Sequence, residues 1–393
     1  MSIASLALRP RDPGEAHRAA SPLELFTDLC YVVAIAQGAA QTHHAVSHGD
    51  TVHGLVFFAI SFFAIWWAWL NFAWFNSAYD NDDVVNRVLT LLQIVGSLVL
   101  AAGIPRMFEE DFVLAVLGYS IMRVGLVLMW VRAAIGHAEG RRTAVRYAIG
   151  LLIVQGLWLA FLLVGHDALI PVFVLFALAD VLVPLIAERT GSTPWHPHHI
   201  AERYGLLFII VLGETVLSAT VAIQVGLDGE QSSARLLTVV AGGLLLVFSA
   251  WWLYFAREAA EALTGNNVAY LWGFGHLVIF GSVALVGAAL AVRVDYYSHE
   301  AHVSDRVSSL MLTVPVVLFL LALWLLIVRL IDASARTWGP FAGAVVLVLA
   351  STWTPAPELF AGIVCAALLV VELRLTRGAG SSGRPTAIAG GGH

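Results

Sequence analysis

Apolar stretches of roughly 20 residues recur along the whole chain and alternate with short polar segments. A helix that rises 1.5 Å per residue needs about 20 residues to cross the roughly 30 Å hydrocarbon core of a bilayer. The pattern therefore predicts an all-α polytopic membrane protein. Twelve spans are predicted, the last two short, at about 25-45, 53-75, 86-104, 112-134, 143-164, 168-188, 203-224, 234-255, 268-292, 309-331, 339-353 and 357-374.

The composition agrees with a membrane location and excludes some kinds of cofactor chemistry. Of the 393 residues, 59% are hydrophobic and 12% are charged, whereas a soluble domain has about 25% charged residues. All 21 basic residues are arginine, which excludes retinal or pyridoxal chemistry because both need a lysine amine. Cys30 and Cys365 lie inside apolar runs without a metal or haem motif, so no cofactor is predicted.

The arginines are distributed unevenly between alternate loops. If the N-terminus is cytoplasmic, only Arg106, Arg235, Arg293 and Arg306 face outward and Arg123 lies within the fourth span, which leaves 16 of the 21 arginines inside. This bias follows the positive-inside rule. It predicts a multi-pass protein of the cytoplasmic (inner) membrane with both termini in the cytoplasm.

Similar segments in the two halves of the sequence indicate an internal duplication. Segments 62-70 and 247-255 align at an offset of 185, and the Gly-Ser pairs at 96-97 and 281-282 share that offset. Chance recurrence in apolar sequence is the alternative. Two parallel six-span repeats give four predicted units: a cytoplasmic segment 1-20 without a cleavable signal core, repeats at 21-190 and 191-375, and a disordered Gly/Ser-rich tail at 376-393.

Four ionisable side chains are the best candidates for a buried polar site: Glu214, Arg123 and Asp180 lie near mid-depth, and His276 lies about a quarter of the way through its span. A charged group at the bilayer centre costs about 2.5–3.5 kcal/mol, so these residues should face the bundle interior and have partners. One hypothesis is an ion or substrate path. The structural alternative is a static pair in which Arg123 neutralises Glu214 or Asp180, with His276 as a hydrogen-bonded packing residue.

A second polar layer is predicted at the cytoplasmic ends of the spans. Glu24 and Asp28 share one face of the first helix, and Ser21 with Glu24 has the form of a capping box. Asp28 has no capping role, so a functional or ion-paired role is predicted for it. The other members of the layer are Asp80, Asp82, Asp83, Arg87, Glu202, Arg203 and Glu258.

Histidines and tryptophans offer weaker signals. His44 and His48 have the i, i+4 spacing of a metal pair, but no complete ligand set accompanies them, so metal binding stays open and solvated histidines are expected. The same expectation applies to the inner-loop histidines His196, His198 and His199. The tryptophans at 66, 67, 69 and 74 are interpreted as packing or interfacial residues.

Several strings together resemble the bacterial low-temperature-requirement A (LtrA) family of membrane proteins. They are SPLELFTDL (21-29), WWAW (66-69), DNDDVVNR (80-87), GYSIMR (118-123), ERYGLLFIIVLGETV (202-216) and AWWLYF (250-255). The resemblance implies that the family positions are Glu24, Phe26, Asp28, Arg87, Arg123, Glu202, Arg203, Gly213 and Glu214. The family is named for a cold-growth phenotype, so it implies no reaction or substrate.

These observations predict a transporter or channel for a small solute or ion; they are compatible with a proton-coupled mechanism and with an uncoupled one. Glu214 is the predicted mid-depth site, and Asp28 and Arg203 line the cytoplasmic vestibule. Two alternatives stay open: a membrane enzyme acting on a lipid or isoprenoid, with segment 80-83 as its magnesium site, and a non-transporting stress or assembly factor. The expected partners are the lipid bilayer and a small solute or ion, without nucleic acid; a homo-oligomer is left open.

Overall fold

The computed structural model describes residues 7–12, 14–15, 19–79, 81–228 and 234–381. Within these ranges it contains twelve long helices and no strand. The helices are α1 (Pro22–Ser47), α2 (Thr51–Tyr79), α3 (Val84–Phe108), α4 (Val113–Gly136), α5 (Arg141–Phe161), α6 (Leu169–Ala187), α7 (Pro197–Asp228), α8 (Ala234–Phe255), α9 (Asn266–Tyr297), α10 (Asp305–Ile331), α11 (Ala335–Ser351) and α12 (Pro357–Ser381).

Each helix corresponds to one predicted span. Within the described residues, ten helices are long and apolar enough to cross a membrane, and α11 is a shorter apolar helix of the same kind. The prediction of an all-α polytopic membrane protein is therefore confirmed. The main departures are at helix ends: α7 begins six residues before the predicted start at 203, and α10 contains a π-helical turn at Trp324–Val328.

Helix starts follow the local capping chemistry. Ser21 and Glu24 form the predicted capping box at the start of α1, and proline occupies the first helical position. Asp83 caps α3 by accepting from the Asn86 amide at 2.8 Å, and Ser304 caps α10. These caps fix where each helix begins, and the α1 cap sets the orientation of the first polar turn.

Small residues bring α3 and α4 into backbone contact. A Cβ atom added to Gly118 would lie 2.4 Å from the amide nitrogen of Leu100, and one added to Gly96 would lie 2.6 Å from Met122 Cγ. Small residues at such crossings allow close helix packing in a bilayer. The contact fixes the position of α4 and therefore of its arginine, Arg123.

Within the described residues, the two halves of the chain share several helix contacts but do not pack identically, because α8 contacts α12 extensively and α2 and α6 of the first half make no comparable contact. In α1–α6 and again in α7–α12, the first helix contacts the second and third, the third contacts the fourth, and the chain then continues neighbour to neighbour. α1, α2, α7 and α9 join the halves, and α9 is the most enclosed helix. The duplication stays a prediction.

The aligned tryptophan pairs lie in different surroundings. Trp66 and Trp67 in α2 are 2% and 1% exposed, whereas Trp251 and Trp252 in α8 are 45% and 47% exposed. The first pair packs in the core and the second lies on the outer surface of the bundle. A matching sequence string therefore does not imply a matching role in the two halves.

The loops collect at two ends of the bundle. At one end Leu8 N donates to Arg132 O and Arg11 N to Ala78 O, and at the other His302 N donates to Ser47 O at 2.6 Å. This alternation matches the predicted topology, while the membrane face at each end stays a prediction. α12 continues to Ser381, into the segment predicted to be disordered, and residues 382–393 lie outside the described residues.

Candidate functional site

A buried arginine on α7 joins two carboxylates on α1. Arg203 Nη2 donates to Asp28 Oδ1 at 2.5 Å, and Arg203 Nη1 lies 3.1 Å from Glu24 Oε1. None of the three residues is more than 2% exposed. The cytoplasmic polar layer predicted from the sequence therefore includes a closed ion-paired group between the two halves of the chain.

The local fold of α1 presents both acids to the same partner. Glu24 and Asp28 are four residues apart and so share one helix face. Glu24 Oε2 accepts from the Ser21 amide at 2.8 Å while Oε1 faces the arginine. Glu24 therefore both caps the helix and forms an ion pair, so the two roles are not alternatives.

Aromatic residues of α2 complete the surroundings of Asp28. Trp69 Nε1 donates to Asp28 Oδ1 at 2.7 Å, and the Arg203 guanidinium lies over the Phe72 ring, 5.7 Å from its centroid. Asp28 Oδ2 accepts no hydrogen bond within the described part of the chain. One carboxylate oxygen is therefore left open to a proton or a cation inside a closed, aromatic-walled site.

His199 precedes Arg203 by one helical turn and adds a second basic group. Its Nε2 lies 3.3 Å from Glu24 Oε1, and its backbone amide donates to His196 Nδ1. His196 and His199 are buried, whereas His198 is exposed. The prediction of solvated inner-loop histidines is wrong for the first two, because the start of α7 folds beneath the N-terminal segment.

Among the described residues, the two carboxylates of this group outnumber its single arginine. Glu24 and Asp28 bring two negative charges and Arg203 one positive charge, so neutral His199 leaves a net charge of −1. Burying an uncompensated charge is strongly unfavourable. One proton, on His199 or on a carboxylate, neutralises the group. The arrangement can therefore bind and release one proton.

A second buried ion pair connects α4, α5 and α6. Arg123 Nη2 donates to Asp180 Oδ1 and to Tyr119 Oη, and Trp158 Nε1 donates to Asp180 Oδ2 at 2.8 Å. The sequence left Glu214 and Asp180 as alternative partners of Arg123. In the structure Arg123 pairs with Asp180. The pair is fully internal and holds three helices of the first half together.

Tyr31 lies between the two buried groups. It is almost fully buried on α1, three residues after Asp28, and its hydroxyl donates to Met122 Sδ on α4 at 3.4 Å. Met122 directly precedes Arg123 on α4. Tyr31 therefore links the part of α1 that carries Asp28 to the part of α4 that carries Arg123.

Glu214 and Glu202 also lie on α7, but neither is a partner of Arg203. Glu214 is half-buried, and the ion pairs of Arg203 in the described residues go to the α1 carboxylates instead. Glu202 is also half-buried and accepts from the Ala20 amide at 3.3 Å. Glu214 is 11 residues beyond Arg203 on α7, about 16 Å along the helix, and therefore does not belong to the Arg203 group.

His276 and Arg87 also lie outside the Arg203 group. His276 is buried, with Nε2 3.1 Å from Tyr254 Oη and Nδ1 2.6 Å from Trp272 O. Arg87 forms an exposed ion pair with Asp82. His276 packs within the second half, and Arg87 belongs to the surface at the start of α3.

The acidic stretch before α3 is engaged by arginines. Asp83 Oδ2 accepts from Arg132 Nη2 at 2.6 Å, and Asp82 pairs with Arg87. The hydrogen bond from Arg87 lowers the pKa of Asp82, and although burial opposes it, the bond from Arg132 lowers the pKa of Asp83. Asp80 lies outside the described residues. The two described acids thus act in capping and ion pairing.

The histidines near the loop between α1 and α2 are held by local contacts. His44 and His48 stack with ring centroids 4.1 Å apart, and His43 Nε2 lies 2.7 Å from Asp295 Oδ2. Across the described ranges, no three His, Cys, Asp or Glu side chains gather as a metal set. The His44 and His48 pair therefore lacks a third ligand from the described residues.

A family model for bacterial low temperature requirement A protein (LtrA) matches residues 19–373. The chain belongs to this family. The LtrA match covers α1 to α11 and most of α12, so Glu24, Asp28 and Arg203 all lie within it. A curated relative, uncharacterized protein RA0937 of Rhizobium meliloti (strain 1021), is 27% identical over 227 residues, which is 50% of this chain. The match spans about half the length of that relative, 51%.

Three residues of this LtrA site were missed by sequence reasoning. His199 lies four residues before Arg203, and this spacing could have placed both on one helix face. Trp69 and Tyr31 carry no such signal, because a buried tryptophan or tyrosine in an apolar helix is usually a packing residue. Only the structure shows that Trp69 donates to Asp28 and that the Tyr31 hydroxyl donates to Met122 Sδ.

Proposed function

We propose that this LtrA-family protein transports a small ion or solute across the membrane and couples its cycle to proton binding at Asp28. One observation carries the proposal: two buried carboxylates share a single arginine, and Asp28 Oδ2 has no hydrogen-bond partner among the described residues. Ionisable residues held inside a membrane bundle commonly serve ion pathways and proton relays.

The pairing lies across the boundary between the halves of the chain. Asp28 belongs to α1 in the first half, and Arg203 belongs to α7 in the second. Protonation of Asp28 removes its charge and weakens its bond to Arg203, while Arg203 keeps Glu24 as a partner. The proton affinity of Asp28 therefore depends on how closely α1 and α7 approach. A ligand that binds two arrangements unequally shifts the balance between them.

Glu214 remains in the proposal as a second station on the same helix. It lies 11 residues beyond Arg203, or about 16 Å along α7 at 1.5 Å per residue. An ion or solute moving along α7 would pass from the Asp28 site towards Glu214. The contacts of Asp28 make it a better proton-coupling residue than Glu214, to which the sequence assigned that role.

Flux in proteoliposomes tests the proposal. The purified protein is reconstituted with a trapped pH-sensitive dye, and proton movement is followed under an imposed gradient over a panel of small ions. We expect Asp28→Asn to reduce coupled proton flux at least tenfold. Asparagine keeps an oxygen for Trp69 Nε1, and Arg203 keeps Glu24, so the variant should still fold.

The matched control is Asp82→Asn, which neutralises an aspartate in an exposed ion pair. It should transport at the wild-type rate. Wild-type proton flux in Asp28→Asn would remove Asp28 from the mechanism. Absence of any flux in the wild-type protein over the whole panel would contradict transport itself.

A further inference from the structure

Another internal carboxylate, Glu188, follows α6 at the end of the bundle where the predicted cytoplasmic loops gather. Its Oε1 accepts from Tyr147 Oη at 2.9 Å and from Thr193 Oγ1 at 2.8 Å. Its Oε2 accepts from Asn266 Nδ2 at 2.9 Å. All three donors are neutral, and Asn266 comes from the second half of the chain.

Glu188 differs from the fully buried carboxylates of the described residues. Each of those contacts an arginine; they are Glu24, Asp28, Asp180, Glu358 and Glu372. Glu188 forms no ion pair with any described arginine or histidine, and burial raises its pKa. A mostly buried carboxylate thus lacks the positive charge that its counterparts have.

A small cavity of about 30 Å³ adjoins this carboxylate. Its polar lining comes from Glu188, Asn71 and Thr193, and its walls include Trp74, Trp130, Tyr147 and Tyr270. A void needs about 10–15 Å³ of this measure to hold one water molecule. The cavity therefore has room for one or two water-sized species and is too small for a quaternary ammonium group.

The aromatic walls suit a cation. The Trp130 and Tyr147 rings stack at 4.0 Å with nearly parallel planes, and Trp74 and Tyr270 lie on the same cavity. The faces of aromatic rings attract desolvated cations. Tyr270 lies on the same cavity as Glu188, and its buried hydroxyl has no hydrogen-bond partner among the described residues.

We propose that this cavity binds a monovalent cation of the size of a water molecule, with ammonium as the best match. One N–H group of ammonium would donate to the Glu188 carboxylate, and the others would face neutral oxygens and aromatic rings. A divalent cation is disfavoured because it normally requires several carboxylate or carbonyl ligands. The site does not include Asp28. Because Asn266 of the second half donates to Glu188 of the first half, the site also joins the two halves.

Tryptophan fluorescence tests this site because Trp74 and Trp130 line it. The full chain in detergent is titrated with ammonium chloride, with choline chloride holding the ionic strength constant, and in parallel with sodium and potassium chloride. We expect a saturable signal that is tightest for ammonium. Glu188→Gln should weaken apparent affinity at least tenfold, whereas Glu139→Gln, at an exposed site, should leave it unchanged.

Tyr270→Phe removes one hydroxyl and keeps the ring, so it tests the cavity if Glu188→Gln does not fold. It should weaken ammonium binding severalfold. A saturable ammonium signal that is unchanged in both variants would overturn the proposal, as would no saturable signal with any of the three cations. Tighter binding of sodium or potassium than of ammonium would overturn the assignment of ammonium.

Discussion

Replacing Arg203 with methionine should damage the fold more than neutralising either of the carboxylates that it contacts. The substitution leaves Glu24 and Asp28 buried without a cation, and it keeps most of the aliphatic volume. Removing one partner from a buried ion pair costs about 3–5 kcal/mol. Because Arg203 contacts two buried carboxylates, we expect a loss of at least about 3 kcal/mol in the free energy of unfolding.

A double-mutant cycle separates this effect from the loss of packing. In Asp28→Asn protein, one of the two carboxylates is already neutral, so Arg203→Met should cost less there. A hydrogen bond to a charged group contributes about 1.5–3 kcal/mol, which sets the expected coupling between the two positions. SDS titration in mixed micelles, followed by far-UV circular dichroism, measures the four free energies of unfolding.

Two outcomes would refute this reasoning. A cost below about 1 kcal/mol for Arg203→Met would mean that the carboxylates are already neutral or can move to water. Equal costs in the wild-type and Asp28→Asn backgrounds would mean that Asp28 and Arg203 do not interact energetically. Arg336→Met, which changes an exposed arginine, serves as the control and should change stability by less than about 0.5 kcal/mol.

Three further predictions concern the surrounding scaffold. Gly118→Ala should destabilise the protein by about 1–3 kcal/mol, because the added Cβ would lie 2.4 Å from the amide nitrogen of Leu100. Gly156 has open space around it, so Gly156→Ala should be neutral. The same SDS titration measures both variants. Trp158→Phe removes a donor to Asp180 and should cost about 1.5–3 kcal/mol by that assay, whereas exposed Trp338→Phe should not. The pKa of Asp83 is lowered in the folded state, so its stabilising contribution should be present at neutral pH and lost on acidification below about pH 4. Thermal unfolding measured against pH tests this, and Asp83→Asn should flatten the pH dependence.

The sequence predicted the spans well because the bilayer imposes a single length scale. Helices α8 and α12 begin at the predicted residues, and most other helix boundaries lie within about five. The start of α7 was missed because Pro197 opens the helix within a polar, histidine-rich stretch. Hydropathy does not mark that start, and only the packing of His196 and His199 beneath the N-terminal segment does.

The sequence predicted which residues belong to the candidate site but not which of them contact each other. Depth and charge identified Asp28, Arg203, Arg123 and Asp180, since few charged residues lie inside spans. Which arginine meets which acid depends on how separate helices cross, and this is set by contacts such as Gly96 against α4 that no local pattern encodes. For the same reason, the sequence favoured Glu214 by its depth alone.

The absence of lysine limits how the internal charges can change. Each fully buried carboxylate of the described residues contacts an arginine, and arginine stays protonated at any physiological pH. In the Arg203 group, only Glu24, Asp28 and His199 can therefore gain or lose a proton. A planar guanidinium can also hold one carboxylate while releasing another, so Asp28 can be neutralised without leaving Arg203 unpaired. This combination of a permanent cation and a releasable acid is what the proposed proton coupling between the two halves requires.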